Sequence, residues 1–252
     1  MISVLVYELD LRHRFEDAQR AMNGLMRDPR LNTSLACMFI GLMQGPATVT
    51  ICGGMVDTMA GDHLKNDEKA AVATYLRHIP EAMVPTFTGV IVACSISGIS
   101  ISSFFVWMLP MALLTLLAIF LVYLHRVPRT VGETGRSKKE CVRLLLRSLW
   151  SLLLAIAVII VFSLPTWAVV TVVAAFIPLA YTMIPNGGAF LLALLMNVSF
   201  ASSQLSPTHI CTAIISDYFG VTFFATVKKL LPLFLLTVLI ACGYYMLLTA
   251  VF

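Results

Sequence analysis

Charged residues are absent from long parts of the chain, and the apolar runs that result are broken at particular points. Between Glu81 and Arg126 the only residue that gains or loses charge near neutrality is His125; between Arg147 and Asp217 it is His209. Leu230 to Phe252 carries no charge. A helix crosses the hydrocarbon core of a bilayer in about 20 residues, and its backbone groups must then be satisfied within the segment. The first stretch is long enough for two such helices, the second for two or three, the third for one.

Upstream of these, Leu11, Phe15, Ala18, Met22 and Leu25 recur at steps of four and three, with Arg12, Arg14, Glu16, Asp17, Arg20 and Arg27 between them. That period predicts an amphipathic surface helix, stopped near Asp28 by Pro29. Leu31 to Ala60 is apolar but interrupted at Gln44-Gly45-Pro46. Two half-helices meeting at a tip suit this pattern better than one straight span. A short polar helix is expected from about Asn66 to Arg77, capped by Asn66 or Asp67.

Spans are predicted at Ala82–Ser100, kinked by Pro85, and at Ile101–Leu124, then at Leu149–Leu164 and Thr166–Ile184. Ala189 to Gly220 is apolar and interrupted again, at Ser202-Ser203-Gln204-Leu205-Ser206-Pro207. Lys228-Lys229 then precede a final span from Leu230. A broken segment, a less apolar connection, a basic pair before proline and a span thus occur twice. Interrupted segments at matching places in two halves point to a transporter's binding site. Four units follow: a surface helix over 1–30, a first repeat-like unit over 31–124 containing a second surface helix, a basic loop over 125–147, and a second unit over 148–252. The expected fold is an all-α polytopic membrane protein of about five to seven transmembrane helices with two broken or re-entrant hairpins.

Composition agrees. Of 252 residues, 59% are hydrophobic and 12% charged, against about 25% charged in soluble domains. This argues against a cytosolic enzyme, a nucleic-acid binder and a disordered chain. Arg126, Arg129, Arg136, Lys138, Lys139, Arg143 and Arg147 are offset only by Glu133 and Glu140. Such a loop belongs on the cytoplasmic side, here of the inner membrane. Met1 to Leu11 has neither the form of a signal peptide nor that of a span. Cys37, Cys52, Cys94, Cys141, Cys211 and Cys242 show no metal-type spacing and read as free thiols.

Met26-Arg27-Asp28-Pro29-Arg30-Leu31, Gly41-Leu42-Met43-Gln44-Gly45-Pro46, Tyr75-Leu76-Arg77-His78-Ile79-Pro80-Glu81 and Gln204-Leu205-Ser206-Pro207-Thr208-His209-Ile210-Cys211 carry a family resemblance. They resemble an uncharacterised prokaryotic integral-membrane family, a domain of unknown function grouped with the ion transporter superfamily of citrate, arsenite, gluconate and dicarboxylate permeases. The resemblance covers roughly Leu11–Glu81 and Asn197–Pro232 and implies a transporter-like fold. Family members look longer at the amino end, which leaves open a shortened chain.

Replacing the water around an anion requires donors, which half-helix N-termini and small polar side chains supply. Gln44, Gly45, Thr48 and Thr50 form one candidate wall; Asn197, Ser202, Ser203, Gln204, Ser206, Pro207 and Thr208 form the other. Small polar residues also serve plain helix packing. Asp217 ends a long uncharged run and is either a buried ion or proton carrier or an interfacial residue. His209, two turns earlier, either joins it in a relay or bonds a neighbouring helix. Arg77, His78 and Glu81 are expected at the interface, as are Asp57 and Asp62. The expected function is a secondary transporter of a small anionic or organic solute, driven by Na⁺ or H⁺. No cofactor, metal or catalytic residue is expected beyond Na⁺ as a coupling ion. The expected partners are lipid and solute, with no nucleic acid; a homodimer or a partner membrane chain is left open. The alternatives are a non-transporting subunit and an intramembrane hydrolase built on Ser206, His209 and Asp217.

Overall fold

The computed structural model describes residues 28–42, 46–84, 87–129, 139–143, 180–184, 186–206 and 209–251. Among them every regular element is helical. The elements are α1 (Pro29–Gly41), α2 (Pro46–Ala60), α3 (Asn66–His78), α4 (Thr88–Ser97), α5 (Ile101–Val122), α6 (Gly188–Ser203), α7 (Ile210–Tyr218) and α8 (Phe223–Val251). The expected amphipathic helix, Pro85 and the spans over 149–164 and most of 166–184 lie outside the described residues.

Helix α1 opens with Pro29 in its first turn, where the missing N–H costs nothing, and Asp28 caps it by accepting from the Arg30 N–H. It ends at Gly41, and α2 begins at Pro46, so the helix is interrupted at the Gly-Pro signal. The two lie against each other: the Cys37 thiol faces the Cys52 carbonyl at 3.9 Å and the Cys52 thiol faces the Cys37 carbonyl at 3.7 Å. All six cysteines are free.

Helix α3 is polar, yet it is buried from Glu68 to its end, which corrects its placement as a surface helix. It packs against α1, α2, α5, α7 and α8. Ala70, Ala71 and Ala73 let those neighbours approach, and the charges meet partners brought from elsewhere in the chain. Lys69 reaches Asp57 on α2 at 2.6 Å, while Glu68 meets Arg126 at 3.1 Å and Lys229 at 3.4 Å. Its cap is Lys65 rather than Asn66 or Asp67, because the Glu68 carboxylate reaches back to the Lys65 N–H. Asn66 instead donates to the Phe219 carbonyl, tying α3 to the end of α7.

Two further boundaries differ from expectation. Where a span over Ala82–Ser100 was predicted, the described helix is only Thr88–Ser97, preceded by a tight turn over Pro80–Ala82. Gly98 ends it at φ +69°, a left-handed conformation that other residues adopt at a cost. Lys228 and Lys229 lie inside α8, which starts at Phe223, about two turns before the expected Leu230. Lys229 fits there because it is drawn onto Asp67 and Glu68.

Helices α5 and α8 are the two described helices long and apolar enough to cross a membrane, and only 33% and 22% of their apolar windows are buried. Each contains a proline, Pro110 and Pro232, which removes one backbone bond. The Tyr244 hydroxyl of α8 donates to the Trp107 carbonyl, three residues before Pro110 on α5, at 3.0 Å. Tyr123, at the end of α5, donates to the Lys229 carbonyl, three residues before Pro232 on α8, at 2.5 Å.

Two paired carboxylates set an acid limit on stability. Hydrogen bonds from Arg30, with Arg129 nearby, hold Asp28 below the usual carboxylate range despite its burial. Burial pushes Glu68 up, but the Lys65 N–H, Arg126 and Lys229 together outweigh it and leave it lowered. Both groups therefore stabilise the fold fully above their unfolded values of about 3.9 and 4.3. That stability is lost as pH falls through the lower folded values. The melting temperature in detergent should drop on acidification below about pH 4, and drop less in Asp28→Asn/Glu68→Gln.

Candidate functional site

The first turns of α2 and α7 meet at the end of α3. Helix α2 begins just after the first break, and its Thr48 hydroxyl accepts from Arg77 Nε at 3.1 Å. Helix α6 ends at Ser203, α7 begins at Ile210 after the second break, and Cys211 in its first turn accepts from Arg77 Nη1 at 3.4 Å. The N-termini of two half-helices thus converge on one guanidinium, whose side chain is 3% exposed. Glycine makes this possible on a third side: a Cβ on Gly41 would lie 2.1 Å from the Arg77 carbonyl oxygen. Gly53 similarly admits Ile215 and Tyr218 of α7 against α2.

Arg77 Nη1 also donates to Glu81 Oε1 at 3.0 Å and lies 3.2 Å from His78 Nε2. His78 Nδ1 lies 2.5 Å from the Thr74 carbonyl, an acceptor only, so Nδ1 carries the proton and Nε2 is the lone-pair nitrogen. His209 Nε2 is 2.7 Å from that nitrogen and must be the donor. The two rings lie 4.6 Å apart between centroids, tilted by 57°. A chain of bonds therefore runs from His209 through His78 into the backbone of α3.

The ligand atoms of His78, His209 and Cys211 lie within 4.8 Å of one another, a donor set of the kind that holds zinc. The Arg77 Nη1 atom stands within hydrogen-bonding distance of two of them. In this arrangement a guanidinium takes the place of a metal cation, and it would repel one.

On another side of His78 lies a small cavity, with room for about one water, lined by Tyr75, Thr115, Asn197, Gln204 and Thr237 among others. Gln204 is buried, and its Oε1 has no hydrogen-bond partner among the described residues.

Of the residues predicted from sequence, Thr48 and His209 join the Arg77 cluster, and Asn197 and Gln204 line the cavity. Thr50 and Ser202 are exposed; Ser203 and Ser206 are half-buried beside the second break. Asp217 lies exposed near the end of α7, and among the described residues no bond joins it to His209. Gln44, Gly45, Pro207 and Thr208 lie outside the described residues. Arg77 and His78, expected at the interface, are buried within the protein, and with Glu81 and Cys211 they are the members that sequence reasoning missed. The four-residue step from Arg77 to Glu81, beside a long uncharged run, was the available signal.

The fold and site define an all-helical protein with two interrupted helices meeting at a buried arginine. Residues 4–177 match the family described as "Protein of unknown function (DUF401)", and the chain belongs to that family. Thr48, Arg77, His78 and Glu81 fall within the matched residues; Gln204, His209 and Cys211 fall beyond them. No curated protein and no solved structure matches the chain.

Proposed function

We propose that this chain is a polytopic protein of the inner membrane, with its basic loop cytoplasmic, and that it acts as a secondary transporter of a small anionic solute. The observation that carries the reading is the convergence of two half-helix N-termini on Arg77. Backbone N–H groups at a helix N-terminus and a desolvated guanidinium both favour negative charge. In a transporter of this kind the solute sits where interrupted helices meet, and access alternates as the hairpin unit rocks against the remaining helices.

Support for the membrane setting comes from α5 and α8. Val106, Leu109, Leu113, Leu117 and Leu121 form one exposed stripe on α5; Leu231, Leu235, Leu239 and Met246 are exposed along α8. Apolar stripes of that extent on a monomer call for lipid or a partner. The hydrolase reading has no support at this site, since the His209 Nε2 proton is given to His78 and Asp217 is exposed.

The test is uptake of labelled acetate, gluconate, succinate and citrate by proteoliposomes holding the full chain. Accumulation of at least one should follow an imposed H⁺ or Na⁺ gradient, and Arg77→Lys should lower it at least tenfold. Lysine keeps the charge but loses the fork that holds Thr48 and Glu81 together. Absence of uptake under both gradients would overturn the transport reading and favour a non-transporting subunit.

A further inference from the structure

We infer that Glu81 is a proton-operated latch: its carboxylate occupies the Arg77 anion site, and a carboxylate solute enters only when Glu81 takes up a proton. This rests on the anion-transport reading above and supplies its coupling ion. The geometry is that of a site filled by the protein's own ligand. Glu81 Oε1 holds Arg77 Nη1 at 3.0 Å, and the two side chains are 13% and 3% exposed. Glu81 sits in the short turn Pro80–Ala82 directly after α3, so it can swing away without unwinding the helix that carries Arg77.

Charge decides the order of events. The closed site contains one guanidinium and one carboxylate. A second carboxylate added without a proton would leave an unmatched negative charge in a desolvated site, which is strongly unfavourable. With the proton, water-borne H⁺ binds a Glu81 oxygen, the Arg77–Glu81 ion pair opens, and the solute carboxylate accepts from Nη1 instead. The buried charge is the same before and after. The solute class is therefore a monocarboxylate, and its movement with the proton is electroneutral.

Other titratable groups face Glu81. Arg77 and His78 come from α3, with His78 Nε2 3.8 Å from Glu81 Oε2; His209 and Cys211 come from α7 and its cap. The turn also packs on α1 and α6. The described α6 carries no charged residue, and on α1 Arg30 is bound to Asp28 at the opposite end, leaving the buried Cys37 thiol.

The experiment is titration calorimetry of the detergent-solubilised full chain with acetate, lactate and gluconate, at several pH values and in two buffers of different ionisation enthalpy. At least one anion should bind wild type with uptake of one proton, and its affinity should rise about tenfold per unit of falling pH. Glu81→Gln should bind the same anion with no proton uptake and a flat pH profile. Proton uptake persisting in Glu81→Gln, or absent in wild type, would overturn the latch and leave the anion site standing. If neither protein binds any of the three while both elute as folded monodisperse species, the anion reading falls with it.

Discussion

Arg77→Met is expected to destabilise the protein by about 3–5 kcal/mol, the cost of stranding one member of a buried ion pair. The loss would have several parts. Glu81 would be left buried with no cation, and Thr48 and Cys211 would lose the donor that joins α2 and α7 to α3. The companion variant separates charge from packing. Arg77→Met/Glu81→Leu removes both charges while preserving volume, and it should recover most of the loss, since apolar replacement of a whole buried pair is often neutral or stabilising. Thermal melts of the three proteins in one detergent decide the matter. If the double variant melts no higher than Arg77→Met, the Arg77 bonds to Thr48 and Cys211 outweigh the ion pair in holding the helices together.

Gly41→Ala should cost about 3 kcal/mol, at the upper end of the range for overpacking. The added methyl would meet the Arg77 carbonyl oxygen at 2.1 Å, and the obstacle is backbone, which cannot rotate aside. Either α1 moves away or the end of α3 shifts, and in both cases Arg77 leaves its place between the two N-termini. Gly53→Ala is the control. Its methyl would approach Ile215 Cδ1 at 2.7 Å and the Tyr218 ring at 3.0 Å, the ends of side chains that can turn. A melt lowered clearly less by Gly53→Ala than by Gly41→Ala is the expected result; equal losses would mean that the backbone contact is not the tighter constraint.

That helices end at Gly41 and Ser203, short of Gly45-Pro46 and Ser206-Pro207, was legible because proline and small polar residues act locally, through a missing donor and a restricted φ. The burial of α3 was not legible. Its composition describes a surface helix, and only the fold reveals that Asp57, Arg126, Lys229 and Glu81 neutralise its charges. The site was half legible for the same reason. Hydroxyls and amides at the breaks stood out against apolar surroundings, whereas Arg77 and His78 looked like ordinary boundary residues until α7 was folded onto them. Lys228-Lys229 misled in the opposite sense: two adjacent cations read as the edge of a span, although Lys229 is spoken for by Asp67 and Glu68.

The exchange of tyrosine hydroxyls between α5 and α8 bears on how the molecule would work. Proline normally gives a long helix a soft joint, and here a tyrosine hydroxyl from the opposite helix bonds a carbonyl three residues before each proline. In the proposed transport cycle the pair, tied at both places, would serve as the stator. The moving part would then be the cradle of α1, α2 and α7, pivoting on α3 with the arginine as its axle pin.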